Sequence, residues 1–159
     1  MTVIYGDEVA CGVCRNLNQV REMASTSVFG SPDLDLRPPP QKRWSMICWV
    51  QQCAMCGYCA SDLSQPCEQG GTGHGVLAEP VYRRQLASTT YLPLASTTYL
   101  PLASQFLCKA MLDEARDDAA AAFWARLHAA RMAHQVLLAL AGRYKHGPPA
   151  IFHNPWSDG

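Results

Sequence analysis

Two Cys-x-x-Cys motifs constrain the fold of this chain more than any other feature of its sequence. The first is Cys11–Cys14 and the second is Cys53–Cys56, with 38 residues between them. Together they supply four thiolates, the number that a zinc ion takes in a closed structural site. We therefore predict that one structural zinc ion is bound by a cysteine quartet, which consists of Cys11, Cys14, Cys53 and Cys56.

The residue that follows each motif bears on how tightly the chain can turn around a metal. Gly57 follows the second motif, and glycine adopts a positive φ at little cost. Arg15 occupies the same place after the first motif. We expect the neighbouring Asn16 to absorb the turn there, because asparagine tolerates the left-handed region better than most residues.

Each motif follows a segment with the character of a β-strand. Residues 2–5 and 8–10 are short strand candidates before the first motif, and residues 19–26 are a strand candidate after it. The segment Trp44–Gln52, rich in aromatic and β-branched residues, predicts the strongest strand and runs directly into Cys53. The turns that carry Cys11–Cys14 and Cys53–Cys56 are here called the first and second knuckles. Two such metal-binding turns at strand ends predict a zinc ribbon.

Cys59 opens an alternative reading of the second motif. Cys53, Cys56 and Cys59 form the Cys-x-x-Cys-x-x-Cys pattern that begins a bacterial iron–sulfur motif, so Cys59 is an alternative ligand. That motif continues with a cysteine three residues later and then proline, whereas Cys67 comes after seven residues and follows Pro66.

Thiol redox chemistry is a second alternative, although neither motif is followed by the helical pattern that such sites use. Cys48 and Cys108 are predicted to be small buried side chains.

A proline-rich segment lies between the two motifs, at residues 29–40. Its prolines exclude a regular helix or a central strand. Asp33, Asp35 and Arg37 are predicted to hold this loop together through hydrogen bonds to its own backbone. The alternative is that these three residues form a small polar binding surface.

Changes in composition along the chain predict an α+β protein with several segments. We predict a zinc-ribbon-like domain over residues 1–69, a glycine-rich linker over 70–79, a helical hairpin over 80–145 and a flexible tail over 146–159. An octapeptide is duplicated at residues 86–101, and it is interpreted as an insertion that lengthens a connection between helices.

Apolar periodicity predicts the two helices of the hairpin. The first begins near Pro101 and places Phe106 and Met111 on one apolar stripe, and the second runs from Ala119 to about residue 141. His128 on the second helix lies six residues before His134, a spacing that does not pair two histidines on one metal. We therefore assign both histidines to packing or to solvent contact.

Charge and hydropathy exclude several classes of function. Lysine plus arginine equal aspartate plus glutamate at 13 each, which argues against a broad nucleic-acid surface. No apolar run reaches the length of a membrane span, and Asp7 and Glu8 interrupt any signal-peptide pattern at the start. The expected location is the cytoplasm, where eight cysteines indicate metal binding or thiol chemistry more than disulfides.

Several segments, taken in order, resemble a known family. They are residues 27–39 (SVFGSPDLDLRPP), Cys53–Tyr58 with Ala60–Asp62, Phe106–Cys108 and Leu127–Ala130. Over roughly residues 9–130 the chain resembles uncharacterised bacterial proteins that have a zinc-ribbon-like part and a C-terminal tetratricopeptide-like helical part. The resemblance implies metal binding by the cysteine quartet, and it implies no known reaction.

These observations lead to a functional expectation. We expect a non-enzymatic zinc-binding protein that acts as a protein-interaction or adaptor module, with a protein partner or a homodimer. The sequence shows no nucleophile with a neighbouring base, and its glycine-rich segment lacks the lysine of a phosphate-binding loop. The alternatives are a cytosolic thiol or iron–sulfur redox protein and a nucleic-acid-binding zinc ribbon.

Overall fold

The structure is a computed structural model that describes residues 3–26, 28–34, 38–39, 42–43, 45–67, 72–88 and 99–140. Most of the duplicated octapeptide (residues 89–98) and the predicted tail (146–159) lie outside the described residues. The same holds for Asp35 and Arg37 in the proline-rich loop.

The first knuckle connects two long antiparallel strands. Strand β1 spans Val3–Ala10 and strand β2 spans Leu17–Ser25, and their register runs from Val3 opposite Ser25 to Ala10 opposite Leu17. On β2, Asn18 and Val20 are buried, so this end of the hairpin faces the core. The prediction of strands on both sides of the first motif is confirmed, and the two N-terminal candidates form one continuous strand.

The second knuckle connects two very short strands. Strand β3 spans Gln51–Gln52 and pairs with strand β4, which spans Cys59–Ala60. The prediction of one long strand over Trp44–Gln52 is wrong, because Ser45–Cys48 forms a turn of 3-10 helix.

Local hydrogen bonds and burial explain why this turn replaces a strand. The Ser45 hydroxyl donates to the carbonyl of Lys42 at 2.7 Å and accepts the indole N–H of Trp49 at 3.1 Å. Met46 and Val50 are almost completely buried on either side of Trp49. These side chains are buried in the core although their backbone forms a turn, and this burial overrides their preference for a strand.

Among the residues that the structure describes after the second knuckle there are four α-helices: α1 (Thr72–Ala78), α2 (Pro80–Ala87), α3 (Tyr99–Ala115) and α4 (Ala119–Leu140). The first of them corrects the prediction of a glycine-rich linker over residues 70–79. Leu77 is buried in the core, and this burial offsets the low helix propensity of the glycines around it. The division of the chain into domains stays a prediction.

Helices α3 and α4 make the most extensive contact between helices in the described part of the chain. Three residues connect them, and Asp117 adopts a positive φ of 59° in this connection. The backbone N–H of Asp118 returns to the carbonyl of Asp113, and the Asp118 carboxylate accepts the N–H of Ala121 at the start of α4. These bonds satisfy helix-end groups that the turn would otherwise leave unpaired.

The strands and the helices share one hydrophobic core. Cys11 and Cys53 of the two knuckles belong to the same buried cluster as Tyr82 of α2 and Phe106 of α3. The molecule is therefore α+β, as predicted. Among the described residues no helix has both the length and the apolar character needed to cross a bilayer.

Candidate metal centre

The fold brings the four cysteines of the quartet into one group. Their sulfur atoms all lie within 4.8 Å of one another. The Sγ atoms of Cys11 and Cys56 are 3.7 Å apart, and those of Cys14 and Cys53 are 3.5 Å apart. A tetrahedral zinc site with Zn–S bonds of about 2.3 Å has sulfur–sulfur edges of about 3.8 Å. The group therefore has the size of a tetrahedral four-thiolate site and could hold a metal ion.

In the first knuckle the backbone folds back on itself around Cys11. The N–H of Cys11 donates to the carbonyl of Asn16 at 2.9 Å, and the N–H of Arg15 donates to the carbonyl of Cys11 at 2.9 Å. Arg15 itself adopts a positive φ of 62°. The expectation that Asn16 would absorb the turn is therefore wrong, because this closing pattern requires the left-handed conformation at Arg15.

The second knuckle repeats this pattern residue for residue. The N–H of Cys53 donates to the carbonyl of Tyr58 at 2.8 Å, and the N–H of Gly57 donates to the carbonyl of Cys53 at 3.0 Å. Gly57 has a φ of 76°, as its place in the motif predicts. The two halves of the site thus have the same backbone form, and the left-handed position is filled by glycine in one half and by arginine in the other.

Each knuckle is also held by a residue that follows the other one. The side-chain oxygen of Asn18, on β2, accepts the backbone N–H of Ala54 at 2.9 Å. The backbone carbonyl of Leu63, after β4, accepts the N–H of Gly12 at 2.7 Å. A Cβ atom at Gly12 would lie 2.2 Å from the Gln65 carbonyl oxygen, so only glycine fits. Sequence reasoning missed Gly12 and Asn18, because their roles depend on segments about 36 or more residues away.

Backbone N–H groups point at the sulfur atoms. The N–H of Val13 donates to the Sγ of Cys11 at 3.4 Å, and the backbones of Met55 and Cys56 donate to the Sγ of Cys53. Hydrogen bonds of this kind stabilise the thiolate form, which is the form that binds metal. These backbone donors therefore favour the thiolate form at Cys11 and Cys53 and oppose the effect of burial there.

Burial and these contacts shift the pKa values of Cys11, Cys53 and Cys56 in different directions. Burial raises the pKa of the Cys53 thiol, but hydrogen bonds from the backbone and from the Cys14 and Cys56 thiols outweigh it and lower the pKa to about 6. Burial raises the pKa of Cys11 and of Cys56, and the Cys56 thiol is further held in its protonated form by its donation to neighbouring sulfur atoms. The Cys53 thiolate therefore forms readily, whereas an arriving cation would have to displace the protons of Cys11 and Cys56.

The helices contact the second knuckle directly. The buried hydroxyl of Tyr82, on α2, donates to the carbonyl of Gly57 at 2.8 Å. The guanidinium of Arg116, after α3, donates to the hydroxyl of Tyr58 at 3.1 Å. The position of the second knuckle thus depends on the helical part of the chain.

The structure places Cys59 outside the quartet. Its thiol is buried and donates to the carbonyl of Gly57 at 3.5 Å. A hydrogen bond with Cys108 and, to a smaller extent, burial raise the pKa of Cys59 well above its usual range. Cys108 is buried, as predicted, whereas Cys48 lies half-buried in the 3-10 turn and not in a strand. The environment of Cys59 therefore favours a neutral thiol that packs in the core.

The described part of the proline-rich loop is occupied by internal contacts. The Asp33 carboxylate forms an ion pair with Arg43 at 2.6 Å, and the Nε of Arg43 donates to the carbonyl of Pro38 at 2.6 Å. The partner of Asp33 in this ion pair is thus a side chain outside residues 29–40, so the expected hydrogen bonds of Asp33 to the backbone of the loop stay a prediction. Asp35 and Arg37 lie outside the described residues, so a binding surface that includes them stays a prediction.

His128 packs among aromatic rings, as predicted, and His134 is exposed. The ring centre of His128 lies 5.0 Å from that of Trp49, 5.4 Å from that of Phe106 and 6.1 Å from that of Trp124. Burial, together with the charges of Arg131 and Lys109, lowers the pKa of His128 to about 4. The imidazole is therefore neutral near pH 7.

Comparison with known proteins identifies no relative for this arrangement. No family model matches the chain, and neither a curated protein nor a solved structure matches it.

Proposed function

We propose that the cysteine quartet binds one structural zinc ion and that the protein is a non-enzymatic, zinc-stabilised interaction module. The observation that carries this proposal is the gathering of four sulfur atoms within 4.8 Å of one another. Backbone donors to sulfur and two knuckles of the same backbone form support a permanently bound ion over a transient one. Thiolate ligands in a tetrahedral set favour zinc among the divalent ions of the cell.

The donor set is also the reason for proposing a structural role. Catalytic zinc sites use three protein ligands and keep a position for water or substrate, whereas four thiolates fill the coordination shell. The zinc would hold the two knuckles together as a zinc ribbon. The hydrogen bond from Tyr82 to the second knuckle would then fix the position of the helices relative to this ribbon. The resemblance to bacterial zinc-ribbon-like proteins and a cytoplasmic location are parts of the same proposal.

Elemental analysis of the purified protein tests the metal. We expect about one zinc per chain in protein prepared without chelators, as for other four-cysteine sites. A preparation without stoichiometric metal would contradict the proposal, and an iron-containing preparation would replace it with the redox alternative. Counting reactive thiols under denaturing conditions tests the thiol-redox alternative, because a zinc site returns all eight cysteines as free thiols when the metal is removed, whereas a pair isolated as a disulfide returns fewer. Inorganic sulfide released with the iron would identify an iron–sulfur cluster.

The interaction role is proposed for the hairpin of α3 and α4. Phe123 on α4 is 58% exposed, and a single helical pair offers only a small platform on its own. We propose that a homodimer or a protein partner covers this face. Sedimentation equilibrium of the zinc-loaded protein tests the homodimer: association that the substitution Phe123→Asp weakens would support it, and a monomer at high concentration would oppose it.

A further inference from the structure

A cleft on the side of the helices stands apart from the cysteine quartet. It has a volume of about 360 Å³ and lies between the proline-rich loop and α4. Its walls include Lys42, Trp49, Trp124, His128 and Arg131. Sites for small molecules commonly have volumes of about 300–1,000 Å³ and are lined by apolar and aromatic side chains with a few polar groups. The cleft lies near the lower end of this range of volume, has this kind of lining and is open to solvent.

Aromatic rings form a fixed platform in this cleft. The ring of His128 meets Trp49 edge-on, with an angle of 72° between the planes, and stacks with Trp124 at 28°. The indole N–H of Trp49 is bonded to Ser45, which sets the orientation of that ring. Trp124 is 49% exposed. A large aromatic surface is therefore open for stacking with a flat ligand.

The charged side chains among the described residues of the cleft, Lys42 and Arg131, are both cationic. The ammonium of Lys42 lies 5.8 Å from the ring centre of Trp49. The guanidinium of Arg131 lies 3.3 Å from Nδ1 of His128, so the neutral imidazole accepts a hydrogen bond there and carries its proton on Nε2. Among the described residues that line the cleft, none is acidic. The lining thus combines a cation with exposed ring surface, and this combination favours an anionic group attached to a flat ring.

We propose that this cleft binds a small aromatic anion, a flat ring that carries a carboxylate or a phosphate. The ring stacks on Trp124, and the anionic group lies at Lys42. Arg131 orients His128, the side chain that lies between the two indoles. This site is separate from the metal centre and does not depend on the identity of the metal.

Calorimetric titration of the metal-loaded, full-length protein tests the proposal. The probes are adenosine monophosphate, which carries a phosphate, and indole-3-acetate, which carries a carboxylate. Adenosine and indole-3-acetamide are the matched neutral compounds. We expect at least one anion to bind about tenfold or more tightly than its neutral counterpart, since a single charge-assisted contact is worth about this factor.

Two substitutions locate the binding. Lys42→Gln keeps the side-chain stem and should lower the affinity for the anion about tenfold without changing that for the neutral compound, whereas Lys42→Arg should retain the affinity. Trp124→Ala should weaken both by about tenfold or more, as loss of a stacking partner does. Both side chains are partly exposed, and an unchanged metal content and circular dichroism spectrum show that each variant folds.

Four results would overturn the proposal. The first is that neither anion binds, and the second is that the neutral compounds bind as tightly as the anions. The third is that Lys42→Gln or Trp124→Ala binds the anions with the affinity of the wild type. The fourth is that a single-stranded oligonucleotide binds although the two small anions do not.

Discussion

The side-chain oxygen of Asn18 lies 2.9 Å from the backbone nitrogen of Ala54 and accepts its hydrogen bond across the two halves of the cysteine quartet. Asn18 is buried, and its amide nitrogen donates to the carbonyl of Asn16 at 2.8 Å. One side chain therefore binds the backbones of both knuckles. The spacing between the two pairs of sulfur atoms depends on this contact as well as on any metal.

Replacement of Asn18 by alanine should destabilise the protein and weaken its hold on zinc. The N–H of Ala54 would lose its acceptor in this partly buried contact, at a cost of about 0.5–1.5 kcal/mol in the free energy of unfolding. Chemical denaturation and competition with a chromogenic chelator measure the two effects. Asn16→Ala is the matched control, because the Asn16 side chain is exposed and donates to the adjacent carbonyl of Leu17 within the same knuckle. Equal behaviour of the two variants would contradict the role of Asn18.

The two left-handed positions should respond oppositely to substitution. Arg15→Gly removes the steric cost of a positive φ and should raise the free energy of unfolding by up to about 1 kcal/mol. Gly57→Ala introduces that cost, and its Cβ would lie 2.5 Å from Cδ1 of Leu86, so we expect a loss of about 1–3 kcal/mol. Thermal unfolding of the zinc-loaded variants gives the signs. Changes of the same sign would show that the two knuckles differ in backbone form.

Cysteine substitutions should separate ligands from packing residues. Cys14 is exposed, so Cys14→Ser removes a sulfur with little loss of packing, and bound zinc should fall to a small fraction of that in the wild type. Cys48→Ser is the control outside the quartet and should retain its zinc. Cys59→Ala tests the alternative ligand: full zinc content would exclude Cys59 from the shell, whereas loss of zinc with the fold intact would include it. Inductively coupled plasma mass spectrometry provides the measurement.

Loss of the Tyr82 hydroxyl should loosen the attachment of the helices to the second knuckle. Tyr82→Phe leaves the buried carbonyl of Gly57 without this donor, and we expect a loss of about 1–2 kcal/mol in the free energy of unfolding. Tyr5→Phe is the control, since the Tyr5 hydroxyl bonds to Glu22 on the exposed face of the hairpin and its loss should leave stability unchanged within error. An unchanged denaturation midpoint for Tyr82→Phe would show that this contact contributes nothing.

His128 should make stability depend on pH in mildly acidic solution. Its pKa is about 4 in the folded protein and about 6.5 when unfolded, so between these values the unfolded chain binds more protons. The contribution of His128 is therefore complete above about pH 6.5 and is lost as the pH falls toward 4. Between pH 7.5 and 5.5 the wild type should lose about 1 kcal/mol more than His128→Gln. Denaturation at both pH values with zinc present measures the difference, and parallel losses in the two proteins would rule out this origin.

The amino-acid sequence by itself determined the local features of the site. Two Cys-x-x-Cys motifs predict four thiolates, and Gly57 predicts a positive φ, because both depend on residues within one turn. The strands around the first motif and the helices with apolar periodicity were predictable for the same reason, since their patterns are read within a short window.

Only the tertiary structure decided the rest. The aromatic segment before Cys53 folds as a 3-10 turn and residues 72–78 fold as a helix, because burial of Met46 and Leu77 in a shared core outweighs local propensity. The contact of Asn18 with Ala54 joins residues 36 apart, and the cleft at Trp124 joins a loop to the last described helix. Such contacts form between segments that are distant along the chain, so no local pattern of residues specifies them.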